Sequence, residues 1–138
     1  MNTSQFYING QWVTPASPKT MAVVNPANGE SISELACANV DDVNLAVAAA
    51  KQAFSSFSTT TVAERLELLK SINSELIKRN DEIAAAISME MGAPMALAKS
   101  AQAPSGAQHF QEIIRLLPQF SFQEKTVNGS LVSKLPIG

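Results

Sequence analysis

Apolar and polar positions alternate in short runs at both ends of the chain and recur at intervals of three and four through its middle. The first run sets Phe6–Ile8 and Gln11–Val13 around Asn9-Gly10, the dipeptide that most readily adopts the two positive φ angles of a type I′ turn, and so predicts a small β-hairpin. Residues 14–20 (TPASPKT) hold two prolines and no apolar period, which marks a loop. Residues 21–24 then read as a strand, Asn25-Pro26-Ala27-Asn28-Gly29 as punctuation, and Ser31–Ala36 as the partner strand.

The period changes near Asn39. Val43, Ala46, Val47, Ala50 and Phe54 fall on one helical face, with Asp41 or Asp42 placed to cap the exposed N–H groups. Thr61-Val62-Ala63-Glu64 has the spacing of a capping box, in which hydroxyl and carboxylate satisfy each other's backbone donors. Leu66, Leu69, Ile72, Asn73 and Leu76 share the face that follows. Asn80-Asp81 breaks or re-caps that helix, and Ile83, Ala84, Ile87 and Met91 continue a stripe that Gly92 stops, giving a helical hairpin. From Pro94 the segment MALAKSAQA favours helix; Pro104 is expected to interrupt it, because proline lacks a donor and crowds the preceding turn. A helix over 105–117 follows, with Ala107, Phe110, Ile113, Ile114 and Leu117 on its face and Pro118 at its end. The last run, FSFQEKTVNGSLVSKLPIG, places two extended stretches about Asn128-Gly129, the same signal as at Asn9-Gly10. The fold class expected is α/β, with short β-hairpins at both ends flanking three to five helices.

Composition narrows the function. With 138 residues the chain is about one domain long on the usual ~100–200 residue scale, and 46% hydrophobic residues with a net charge of -2 make it globular and mildly acidic. Lys and Arg are scattered, which argues against nucleic acid as a partner. No apolar stretch approaches the ~20 residues of a membrane span, and the N-terminus carries neither a basic nor an apolar leader region. One cysteine, Cys37, excludes an internal disulfide and suits a reducing, cytoplasmic setting. With a single histidine besides, the chain lacks the clusters that transition metals require. Two further features suggest an incomplete domain: the strands come in separated pairs, which are marginal alone, and the chain stops at Pro136-Ile137-Gly138 with no closing element.

Four stretches, taken in order, are recognisable: Phe6-Tyr7-Ile8-Asn9-Gly10-Gln11-Trp12; Val24-Asn25-Pro26-Ala27-Asn28-Gly29-Glu30; the helix from Asp42 to Phe54; and Glu64-Arg65-Leu66. Together with Glu90-Met91-Gly92-Ala93-Pro94 and Leu135-Pro136-Ile137-Gly138, the chain resembles, almost end to end, the N-terminal part of an NAD(P)-dependent aldehyde dehydrogenase. The resemblance implies that residues 1–118 are an incomplete part of the cofactor-binding domain and 119–138 the first hairpin of an oligomerisation arm. It implies a parent, a homo-oligomer, that oxidises a small-molecule aldehyde to a carboxylic acid with NAD or NADP. In the family the Asn motif, nucleotide-binding turn, glutamate base and cysteine nucleophile come later in the chain, so this stretch is expected to be catalytically inactive and to hold no cofactor. Ala93 departs from a lysine common in the family.

The candidate site residues are accordingly few. Cys37 is the residue type a thiolate mechanism needs, yet it follows a strand and the sole histidine, His109, lies far off on a helix, so it reads as a small half-buried residue. His109, next to Phe110, fits a structural or solvent-bridging role. The six glycines, at 10, 29, 92, 106, 129 and 138, form no GxGxxG or GxxxxGK[ST] loop. Glu90, Asp81 and Glu82 read as caps or solvated charges. By resemblance alone, the carbonyls of Val23, Val24 and Glu90 would help hold a monovalent cation, a role not expected of this stretch by itself. No catalytic, cofactor-binding or metal residue is therefore assigned. The competing reading is a free-standing interaction module that pairs its strand edges with a partner sheet.

Overall fold

The computed structural model describes residues 3–137; Gly138, the last residue of one sequence landmark, lies outside them. Strands β1 (Phe6–Ile8) and β2 (Gln11–Val13) pair antiparallel, Ile8 opposite Gln11 and Tyr7 opposite Trp12. Asn9 (φ 51°) and Gly10 (φ 77°) supply the two left-handed residues of a type I′ turn. The rings of Tyr7 and Trp12 meet edge to face at 5.3 Å. A second antiparallel pair joins β3 (Thr20–Val24) to β4 (Ser31–Ala36), with a bulge between Val23 and Val24. Its connection is closed by Gly29 N donating to Asn25 O at 2.8 Å and Asn25 N donating to Glu30 O at 2.9 Å.

Helix α1 (Val40–Phe57) is capped by Asn39, whose side chain accepts from Asp41 N and Asp42 N. The cap is therefore neither aspartate expected from the sequence: Asn39 has the extended φ a cap needs, and Asp42 sits at the third helical position to return the bond. Helix α2 (Val62–Lys78) opens on the Thr61–Glu64 capping box as expected. Arg79 breaks the helical line before α3 (Asn80–Met91), and Gly92, at φ 73°, ends it. Helix α2 lies chiefly against α5 (Ala103–Leu116), rather than forming a tight hairpin with α3.

Pro104 does not interrupt its helix. Helix α4 (Met95–Leu97), a π-turn over Ala98–Gln102 and α5 run on without a gap. Ala103 N reaches back five residues to Ala98 O, so the missing proline donor and the bulk of its ring fall where the hydrogen-bond ladder is already shifted by one residue. A single 3-10 turn (Leu117–Gln119) follows. The final hairpin, β5 (Gln123–Lys125) with β6 (Leu131–Ser133), also departs from expectation. Its turn is not a copy of Asn9-Gly10: Gly129 N donates to Thr126 O at 2.9 Å, only Gly129 has positive φ, and Thr126 N closes on Ser130 O at 2.8 Å. This is a type I turn followed by a left-handed glycine, which spans three loop residues rather than two.

Mixed helix and strand, with hairpins flanking the helices, is thus the architecture. Its core is small. Ala84 and Ala98 are wholly buried and Ala103 nearly so, with Ile83, Ile87 and Ala93 packed around them. Other stripe positions stay open: Met91 is 70% exposed, and Val43, Val47, Ile72 and Ile113 also face outward. The end of α3 meets the β3–β4 loop, since a methyl placed on Gly92 would lie 2.8 Å from Cγ of Pro26. Gly92→Ala therefore combines a left-handed backbone with a collision and should cost at least ~1–2 kcal/mol. A lowered urea midpoint checks this; a midpoint equal to that of the parent chain contradicts it.

Candidate functional site

Cys37 follows β4 and is half buried, its N–H bound to Lys19 O at 2.8 Å. Its thiol contacts Leu35 O at 4.0 Å and makes no bond to His109, which is exposed on α5. The sulfur's hydrogen-bond partner is thus a backbone carbonyl and not a base that could take its proton. Glu90 is exposed near the end of α3, and no group of three or more His, Cys, Asp or Glu among the described residues could hold a metal ion. The bulged Val23–Val24 segment and the α3 terminus belong to elements that meet at Pro26 and Gly92. Ala93, the departure noted in the sequence, packs against the alanine core, where a lysine would have to carry its charge back out to water.

The starts of α1 and α2 do not fit a dinucleotide cradle. A pyrophosphate needs free helix N–H groups and a close glycine turn. The β4–α1 junction has no glycine: Asn39 Oδ1 takes the N–H groups of Asp41 and Asp42, and the two carboxylates would repel a phosphate. At α2, Thr61 Oγ1 and Glu64 occupy the terminus in the same way. All strand pairs among the described residues are antiparallel and two-stranded, so no parallel βαβ unit is present.

Two clefts remain. One of about 570 Å³ lies along α1 between Val47, Ala50, Lys51, Ala53, Phe54 and Phe57, and is almost wholly apolar. The other, about 330 Å³, lies between α2 and α5 at Lys70, Asn73, Ser74 and Gln111. Lys70 Nζ is engaged by Glu67 at 2.8 Å, so neither cleft presents a nucleophile beside a base.

Sequence reasoning named Asp42 only as a possible cap and missed its bond to a distant loop. Asp42 is buried, and its carboxylate accepts from Asn39 N and from Ala16 N, both at 2.9 Å, pinning the proline-containing loop to the start of α1. The Asn39-x-x-Asp42 spacing was the available signal. Asp42→Ala leaves both donors unpaired and should cost roughly 1–3 kcal/mol, read as a lower denaturation midpoint.

The second capping box gives a pH dependence. Bonds from the Thr61 backbone N–H and hydroxyl hold the Glu64 carboxyl below its ordinary value of 4.5. A carboxyl depressed on folding stabilises above its unfolded value and loses that contribution as pH falls through the folded one. Acid titration of α2 helicity below about pH 4.5 should therefore be shallower in Glu64→Gln; identical acid profiles would contradict the assignment.

The comparisons with known proteins agree on the family. The sequence matches the model of the Aldehyde dehydrogenase family over residues 12–138. It is 40% identical over 135 residues to a 3-succinoylsemialdehyde-pyridine dehydrogenase of a Pseudomonas species, covering 97% of this chain and 28% of that protein. Among solved structures, an aldehyde dehydrogenase from Bartonella henselae superposes with a TM-score of 0.89 at 37% identity, over 93% of this chain and 27% of that one. A mutant of aldehyde dehydrogenase C from Pseudomonas syringae, complexed with NAD+ and octanal, gives 0.88 at 40% identity over 90% and 26%. The chain thus spans under a third of the length of these relatives.

Proposed function

The chain belongs to the aldehyde dehydrogenase family, and on that premise we propose that it supplies the amino-terminal scaffold of a protein that oxidises an aldehyde to a carboxylic acid with NAD or NADP. Residues 1–118 would form part of the cofactor-binding domain, and 119–138 the first hairpin of an oligomerisation arm. The observation that carries this reading is the collinear match of 97% of the chain to 28% of a dehydrogenase, with the same fold in a relative complexed with NAD+ and octanal.

Within that reading the chain's own work is mechanical. It holds α1, α2 and α5 in place and presents their uncovered apolar faces to the rest of a family-length protein. The reacting atoms and the cofactor are assigned to that remainder, a reading supported by the carbonyl partner of the Cys37 thiol and by the side-chain caps that occupy the starts of α1 and α2. Strands β5 and β6 are exposed along both lengths, and Leu131 and Leu135 face solvent, which suits burial against another subunit in a homo-oligomer. The one cysteine of this stretch is a free thiol, which suits the cytoplasmic location we propose for the protein. The reading as a free-standing interaction module draws no support from the relatives.

The 138-residue chain, mixed with aldehyde and NAD or NADP, is expected to produce no reduced nicotinamide, and Cys37→Ala to leave that result unchanged. A chimera in which residues 1–138 replace the matching stretch of the Pseudomonas dehydrogenase should still oxidise its aldehyde. Sustained turnover by the isolated chain that Cys37→Ala abolishes would contradict the proposal.

A further inference from the structure

Three Asn-Gly dipeptides stand in exposed turns, at Asn9-Gly10, Asn28-Gly29 and Asn128-Gly129. In such a pair the glycine N attacks the asparagine Cγ, forming a C–N bond while Cγ–Nδ2 breaks and ammonia leaves with the transferred proton. Water then opens the resulting succinimide at either carbonyl, giving aspartate or isoaspartate. No oxidant or cofactor is required. Glycine is the permissive neighbour because it has no Cβ to obstruct ring closure.

The three turns differ in what already holds the reacting atoms. At Asn28-Gly29 the glycine N–H is bound to Asn25 O at 2.8 Å. There the asparagine amide is also held at both ends, Oδ1 accepting from Glu30 N at 3.1 Å and Nδ2 donating to Glu30 Oε2 at 2.8 Å. At Asn128-Gly129 the glycine N–H is bound to Thr126 O at 2.9 Å. Asn9-Gly10 sits at the two central positions of its turn, where the strand pairing of Ile8 with Gln11 uses neither the Gly10 N–H nor the Asn9 amide.

Backbone geometry adds a second distinction. A type I′ turn converts to II′ by rotating only the peptide plane between its two central residues, which carries ψ of the first from roughly +30° to roughly -120° while its φ stays near +60°. At the second value the next residue's nitrogen eclipses Cβ, the arrangement a five-membered ring needs. For Asn9, already at φ 51°, this flip leaves the hairpin register intact, and its cost is the crowding of Cβ that makes glycine the usual occupant of that position. The corresponding rotation at Gly29 or Gly129 must first break the N–H bond just described.

We propose that Asn9 is a spontaneous deamidation site, the first of the three Asn-Gly pairs to convert, and that isoaspartate formed there dismantles the β1–β2 hairpin. Isoaspartate inserts a methylene into the main chain of a two-residue turn, so Tyr7 can no longer stand opposite Trp12. Trp12 is the sole tryptophan, and its fluorescence reports the loss of the Tyr7 contact.

The chain is incubated at mildly alkaline pH, and each Asn-Gly peptide is followed by mass spectrometry and isoaspartate-specific methylation, with a urea-unfolded sample alongside. The folded chain should convert Asn9 roughly 2- to 10-fold faster than Asn128, the factor one hydrogen bond supplies, with Asn28 slowest. The three rates should converge in urea. Asn9→Gly keeps a turn-compatible sequence and should remove both the first-appearing product and the accompanying Trp12 fluorescence drift. Conversion of Asn28 or Asn128 ahead of Asn9 in the folded chain, or the same ranking in urea, overturns the proposal.

Discussion

Helix α3 packs on the π-turned helix through buried alanines, and this contact holds the middle of the fold. Ala84 and Ala98 lose all their exposure there, Ala103 nearly all, and the isoleucines of α3 close around them. Alanine permits the approach but buries little area, and among the described residues no bulky side chain is fully buried. At ~25 cal/mol per Å² of apolar surface, such a core provides position more than stability. The π-turn belongs to the same contact: it absorbs Pro104 without a break and lets α5 continue beneath α2.

Around that junction the peripheral elements are tied down at single points. Asp42 joins the loop at Ala16 to the start of α1, and Gly92 brings the end of α3 onto Pro26 of the β3–β4 connection. These ties orient α1 and the hairpins without covering them, which leaves the Val47, Phe54 and Phe57 side of α1 open as an apolar cleft. Apolar surface gathered in this way marks a place meant to be covered. On the proposed function, the cover is the rest of a family-length protein, of which this chain matches 28% in one relative.

Much of this was legible in the sequence because its signals are local. The Asn-Gly hairpin at residues 9 and 10, the Thr61–Glu64 box and the stop at Gly92 depend on residues within one turn of each other, and each appears as expected. The misses share a different cause. Pro104 reads as a breaker until a π-turn shifts the ladder beneath it, and Asp42 reads as a cap until Ala16, twenty-six residues away in sequence, arrives at its carboxylate. Periodicity placed Met91 and Ile113 on apolar helix faces, and the structure leaves both exposed. A stripe states which side of a helix is apolar, not whether this stretch of chain contains the surface that meets it.

The central claim is that a small alanine-centred helical junction is the stable part, while α1 and the last hairpin depend on surfaces this stretch does not contain. Native-state amide hydrogen exchange on a strictly monomeric sample tests it residue by residue. The account predicts slow exchange along α3, the π-turn and the α2–α5 contact, with fast exchange in β5, β6 and the second half of α1. Protection in 123–133 and 47–57 equal to that of 83–103 would contradict it, because those elements would then be packed without any further surface.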